Sequence, residues 1–294
     1  MRNLDNKGNV AIFLSLFITV LFGFTAFVID IGIIYSEKIK LSNAIDSAAL
    51  AATLELPKDE IKARATAIEY IQKNNEDPNQ ATITISADNK SVQIETVKNV
   101  EHLFAKIIGI SNSEVDVKTK AIVAPVKSVK DGVRPFAVEV FNFSYGDLVT
   151  LKHGAGDGYH GNYGVVALGG SVFKSNALYG YSGTVSVGDY IDTEPGNMTG
   201  ACTAIKNYIN DENSTFNNFP RDSIRLWTVP LVDSLIVDGR TSVLVVGFAV
   251  FYVEDAKNTS GKMEFNGRFV RYVLSGPVDV NLNDTGAYGA KLSK

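Results

Sequence analysis

The sequence predicts an N-terminal transmembrane helix that continues into a small α+β unit and is followed by an all-β domain, either a sandwich or an open barrel. Three observations point there. Val10 to Ile29 is a run of twenty residues without a charge. Residues 30–125 pass from helical to alternating apolar periodicity. Beyond residue 130 the chain carries 21 of its 25 glycines, set between short alternating runs. The division expected is a cytoplasmic N-terminus over 1–9, the transmembrane helix over 10–29, the α+β region over 30–125, a linker over 126–132, an all-β extracytoplasmic domain over 133–282 and a loose tail over 283–294.

Composition narrows the function classes. Of the 294 residues 45 % are apolar, enough for a sizeable core and too many for a disordered or collagen-like chain. With 28 Lys and Arg against 32 Asp and Glu, the chain lacks the basic excess that neutralising phosphates requires, so no nucleic-acid partner is expected. Cys202 is the only cysteine, which excludes an intrachain disulfide and a cysteine-based zinc site. His102, His153 and His160 leave little material for acid–base chemistry near neutral pH.

Twenty helical residues span about 30 Å, the thickness of a bilayer's hydrocarbon core. Fourteen of the twenty are Val, Ile, Leu or Phe, and together they favour insertion by about 4–8 kcal/mol. Ser15, Thr19 and Thr25 can return their hydroxyls to the helix's own carbonyls. A buried helix of a soluble protein is the first rival, but every face of this run is apolar. A cleaved signal peptide is the second, because Arg2 and Lys7 precede the run. Against it, the run is longer than a typical signal core, and bulky Phe24 two positions before Ala26 makes a poor cleavage pattern. The segment is therefore read as retained, with Val10 and Ile29 bounding an anchor in the lipid bilayer. Lys38 and Lys40 on the far side are offset by Glu37 and Asp46, which leaves the amino terminus in the cytoplasm and the bulk of the chain outside.

Past the run, Ile31, Ile34, Tyr35, Leu41, Ile45, Ala48 and Ala52 recur at three- and four-residue steps, so the helix is expected to continue as an amphipathic one. Asp30 marks the membrane–water boundary on this reading. A second helix over about 59–73 follows Pro57, capped by Asp59, with Ile61, Ala65, Ile68 and Ile71 on its inner face. Thr82 to Ala87 and Ser91 to Val97 flank the turn residues Asp88-Asn89-Lys90 as a hairpin. A short helix with Leu103, Phe104, Ile107 and Ile108 ends at Gly109, and a strand from Val115 to Ala124 closes the unit.

The second half reads as strands at 138–143, 148–152, 165–168, 184–191, 224–229, 242–253 and 263–274, with helix confined to Cys202–Asn210. Val243 to Val253 is apolar on both alternating faces and is expected to be a central strand buried on both sides.

Two polar concentrations are candidate ligand sites. Gly156, Gly158 and Gly161 spell G-x-G-x-x-G, but a strand follows where a dinucleotide site needs a helix. His153, His160 and Asp157 in that loop could share a metal, or the loop is a polar glycine hairpin. Asp189, Asp192 and Glu194 could serve glycoside hydrolysis or hold calcium, or they are acidic turn residues. No cofactor is expected.

Gly8 before the apolar run, Asp30-Ile31-Gly32 after it, Tyr35, Leu41, Asn43-Ala44 and Asp46-Ser47-Ala48-Ala49-Leu50-Ala51-Ala52 together resemble the N-terminal region of TadG-like and related Tad-domain proteins. Those are Flp-pilus assembly proteins of the bacterial tight-adherence system. The resemblance implies a single-pass membrane protein that helps assemble a secreted pilus, has other pilus-assembly proteins as partners and is not an enzyme. It departs from the related pilins at Phe13, where a prepilin-peptidase site has Glu five residues after the cleaved glycine. Gly161-Asn162-Tyr163-Gly164, Thr193-Glu194-Pro195-Gly196-Asn197-Met198 and Val246-Gly247-Phe248-Ala249 also resemble the C-terminal region of Tad-domain proteins, which brings no biochemical role with it.

Two other readings of the β domain stay open. As a binding module it would grip cell-wall glycan, with Tyr159, Tyr163, Tyr179 and Tyr181 stacking on sugars beside Asp157. As a hydrolase it would act on wall polymer through Asp189, Asp192 or Glu194. Coplanar exposed tyrosines favour the first, and two carboxylates converging in a cleft favour the second.

Overall fold

The computed structural model describes residues 7–153, 162–170, 173–194, 199–235, 241–259 and 262–293. Its first element, α1 (Lys7–Thr53), is one unbroken helix, about 70 Å long at 1.5 Å per residue. From Val10 to Ile29 every side chain except the half-buried Ala26 is exposed. Beyond it Asp30, Leu41, Ala44, Ile45, Ala48, Ala49 and Ala52 are buried. Ile31 and Tyr35, expected on the inner stripe, are exposed. Ile33 packs against the core in their stead, and Ile34 keeps the inner position expected of it.

The second helix, α2 (Glu60–Lys73), starts where Asp59 accepts a hydrogen bond from the Lys62 amide at 2.9 Å. Its buried residues are Ala63, Ala67 and Ile71, whereas Ile61, Ala65 and Ile68 face outward. Small side chains on both partners explain the choice, since Ala63 and Ala67 meet the alanine-rich end of α1 and let the two backbones come close. The hairpin β1 (Ala81–Ile85) and β2 (Ser91–Glu101) pairs Ala81 with Thr96 through Ile85 with Val92, and Asn89 takes the left-handed turn position at φ 53°. A single 3-10 turn (Ala105–Ile108), ended by Gly109 at φ 87°, leads into β3 (Asn112–Pro125), antiparallel to β2.

The segment expected as a linker is structured. Within it β4 (Ser128–Lys130) pairs with a later strand, and Val126 and Val129 are buried, so the apolar members of a Lys-rich stretch serve the core. There follow β5 (Phe136–Glu139), β6 (Leu148–His153), β7 (Asn162–Val165), α3 (Phe173–Tyr179), β8 (Thr184–Ser186), β9 (Tyr190–Asp192), α4 (Thr199–Asn210), β10 (Leu226–Val232), β11 (Ser242–Thr259) and β12 (Lys262–Val270). The two-turn α3 was not expected, because seven residues are too few to show a helical stripe.

Six strands close on themselves in the order β10-β5-β7-β6-β12-β11, with β11 returning to β10 and β9 added outside on β11. Of the two forms expected for the β domain, the barrel is the one found, closed and with α3 and α4 added to its strands. Its lumen is a packed core, as small barrels require: Phe136 stacks on Trp227 at 5.3 Å and meets Tyr163 edge-on at 5.6 Å, with Phe251, Phe265 and Phe269 around them. Cys202, Ile205 and Ile209 of α4 enter the same core. The strand β11 is buried on both faces, as expected. A bulge shifts its register where Leu231 opposes Gly247 and Val232 opposes Val245, so Val243 and Val245 share the outer cluster with Phe248, Val250 and Tyr252, while Ala249, Phe251 and Val253 point into the lumen.

The tail is not loose. Two last strands, β13 (Tyr272–Leu274) and β14 (Ala287–Leu292), complete the N-terminal sheet in the order β1-β2-β3-β14-β13. Tyr288 pairs with Pro125 and lies in the same core as Leu41, Ile45 and Val92. The barrel is inserted between β3 and β13 and touches the first unit elsewhere: Arg221 donates to the Val273 and Leu54 carbonyls at 2.6 and 3.3 Å, and Lys58 lies 5.0 Å over the Phe219 ring.

Candidate functional site

The feature that distinguishes this molecule is the point where α1 leaves its apolar run and enters the folded part. Along the run Ser15, Thr19 and Thr25 donate to the Ile12, Ser15 and Leu21 carbonyls at 2.9 Å each, so the hydroxyls are satisfied within the helix. The helix is long and apolar enough to cross a membrane. At its inner limit stands Asp30, buried despite its charge. Its carboxylate accepts from the amides of Leu103 at 2.7 Å, Phe104 at 3.1 Å and Ala105 at 2.6 Å, at the start of the 3-10 turn between β2 and β3. A boundary marker in sequence is therefore also a clasp between residues more than seventy positions apart. Only a pairing of distant segments, which local sequence does not display, would have revealed it.

Two turns further along, Lys98 on β2 bridges Glu37 of α1 at 3.0 Å and Glu76 after α2 at 2.9 Å. Hydrogen bonds from Lys40 and Lys98 hold the Glu37 carboxyl below the usual carboxylate range. Past that bridge the helix presents Ile45, Ala48, Ala49 and Ala52 to α2 and the sheet. The long helix is thus fastened at Asp30, at Glu37 and along its alanine end. Residues 8–65 match the family model "Putative Flp pilus-assembly TadE/G-like". The matched residues run from the start of the apolar run through the α1 side of this fastening, Asp30, Glu37 and the alanine end, and into the first turns of α2, while the partners Glu76, Lys98 and Leu103 to Ala105 lie beyond the match. No curated protein matches the chain, and no solved structure does.

The ligand candidates read from sequence fall away from this segment. Asp157 and Tyr159 lie outside the described residues, as does His160. Tyr163 is inside the barrel, where its hydroxyl donates to the Met263 carbonyl at 3.0 Å and burial pushes the phenol pKa up. It offers no face for stacking, whereas Tyr179 is exposed and packs edge-on against Tyr208 at 5.4 Å. Alternation could have indicated Tyr163 as a lumen residue, because Val165 two positions on shares its face.

Asp189, Asp192 and Glu194 sit on one short ribbon around β9. Asp189 closes its own turn by accepting from the Ser186 amide at 2.7 Å, and Asp192 accepts from the Ser242 hydroxyl at 2.5 Å on the neighbouring β11. Glu194 is half-buried, with its amide bonded to the Val165 carbonyl at 2.8 Å. Among the described residues no group of three or more His, Cys, Asp and Glu side chains is arranged to hold a metal ion.

Proposed function

We propose that this chain is a single-pass membrane protein with a structural role in assembling a Flp (Tad) type pilus or surface-adherence system in a bacterial envelope. The amino terminus lies in the cytoplasm and the two folded parts lie outside. The observation that carries the reading is the coincidence of the TadE/G-like match with the exposed apolar helix and its fastening to the sheet. In this role the α+β unit is held at the membrane face, and the barrel is the contact domain for other assembly proteins. The role is not enzymatic.

Alkaline carbonate extraction of membranes from cells making the full chain tests the anchor. Retention in the pellet is expected, and a mature chain beginning after Ala26 in the soluble fraction would overturn it. Crosslinking in intact cells followed by identification of the partners tests the assembly role. Pilus components are expected; wall glycan in their place would transfer the barrel to the glycan-binding reading.

A further inference from the structure

We propose that residues 103–110, the turn between β2 and β3, are a second membrane contact: a blunt apolar knob that sits in the leaflet nearest the folded unit and fixes how that unit stands on the bilayer. The inference rests on the reading of α1 as a retained span. Leu103, Phe104, Ile107, Ile108 and Ile110 are all exposed, Ile107 and Ile108 by 84 % and 76 %. The sequence suggests a helix that would pack these residues; the turn instead presents them outward.

Their position identifies what covers them. A groove of about 1000 Å³ runs between the turn and α1, lined by Val20, Phe24 and Phe27 on the helix and by Phe104, Ile107 and Ile108 on the turn. Those helix residues belong to the uncharged run. A bilayer that receives Phe24 and Phe27 therefore meets Ile107 and Ile108 at the same depth, and its acyl chains fill the groove.

The backbone of the turn is prepared for such a medium, where unpaired amides are costly. The amides of Leu103, Phe104 and Ala105 donate to Asp30, and those of Ile107, Gly109 and Ile110 donate to the Phe104, Lys106 and Ala105 carbonyls at 3.0 to 3.1 Å. The one charge within the turn, Lys106, reaches back to Glu101 at 2.8 Å, in the manner of a cation that keeps its head at the polar interface. The clasp at Asp30 and the knob are thus one device, since the carboxylate that ends the span also folds the element that dips beside it.

The test uses the full chain in phosphatidylcholine vesicles with and without bromine on the acyl chains, which quenches tryptophan within reach. Trp227, the only tryptophan, is buried in the barrel and sets the baseline. Ile107→Trp reports on the knob, at a site too exposed to disturb folding, and Phe17→Trp reports on the span. In brominated vesicles the added emission of Ile107→Trp should fall by about half, as for a group 5–10 Å into the interface, and Phe17→Trp should also be quenched. Quenching of Phe17→Trp with Ile107→Trp at the baseline overturns the knob and leaves the anchor standing. If neither is quenched, the anchor reading fails and the knob falls with it.

Discussion

Asp30 is charged, buried and placed at the end of an uncharged run, a combination that is costly unless its lone pairs find donors. Three backbone amides supply them. Asp30→Ala leaves those amides without acceptors, at a cost on the order of 2 kcal/mol for hydrogen bonds to a charged group. Amide hydrogen exchange at Leu103, Phe104 and Ala105 should then accelerate by about thirtyfold, while β11 keeps its protection. Unchanged rates at the three amides would mean that the turn holds itself without the clasp. Asp284 plays a comparable part at the other end of the chain, receiving Lys90 at 2.7 Å, Tyr288 at 2.6 Å and the Gly286 amide at 3.1 Å. Desolvation raises its pKa, but the hydrogen bonds from Lys90, Tyr288 and Gly286 outweigh that and hold it below the usual value. A carboxyl lowered in the folded state stabilises the fold in full above its unfolded pKa and loses that contribution as the pH falls through the folded one. The N-terminal sheet should therefore weaken below about pH 4, and Asp284→Asn should flatten the acid limb of a thermal-unfolding series.

At the scale of elements, β14 is an interior strand of the five-stranded sheet although it is nearly the last segment of the chain. A chain ending at Leu282 loses it, leaves β3 without its partner along Ala121 to Pro125 and deprives β13 of its neighbour. Limited proteolysis should then cut within β3, which the full chain should resist; equal resistance would show that β2 and the helices suffice. What was legible in sequence follows the same division between local and distant order. The helices α1, α2 and α4, the hairpin at Asn89 and the doubly buried β11 are marked by periodicity or turn chemistry within a few residues, whereas the seven residues of α3 are not. Ala287-Tyr288-Gly289-Ala290 carries no β-branched residue, and β4 is three residues long, so neither announces a strand. Ile31, Tyr35 and Ile61 are apolar at helical spacing yet face outward, because spacing alone does not say which flank of a broad apolar stripe meets the sheet. The site was legible in half: Asp30 marks a boundary in sequence, and its partners at 103–105 lie beyond any local pattern.

The whole molecule is a barrel inserted into a helix-covered sheet, and its stability depends on a lumen and an outer cluster that share β11. Phe248 is buried in the outer cluster. Phe248→Asp places an unpaired charge there, which costs several kcal/mol against a total of about 5–15 kcal/mol. The full chain carrying it should lose the near-ultraviolet circular dichroism of the Trp227 and Phe136 stack, and retention of that signal would mean that the outer cluster is dispensable. The covalent path between barrel and sheet is double: the chain leaves at Pro125 and returns at Tyr272, with β14 paired between those two strands. A body hung on one tether swivels freely, whereas a body hung on two strands of one sheet, held apart by a third, transmits torque. A pull on the barrel loads β2 and β3 lengthwise along the register from Ser91–Ile122 to Glu101–Asn112, so their hydrogen bonds resist in shear together instead of opening one after another. Tension applied at the barrel is thereby delivered to α1 as a directed force.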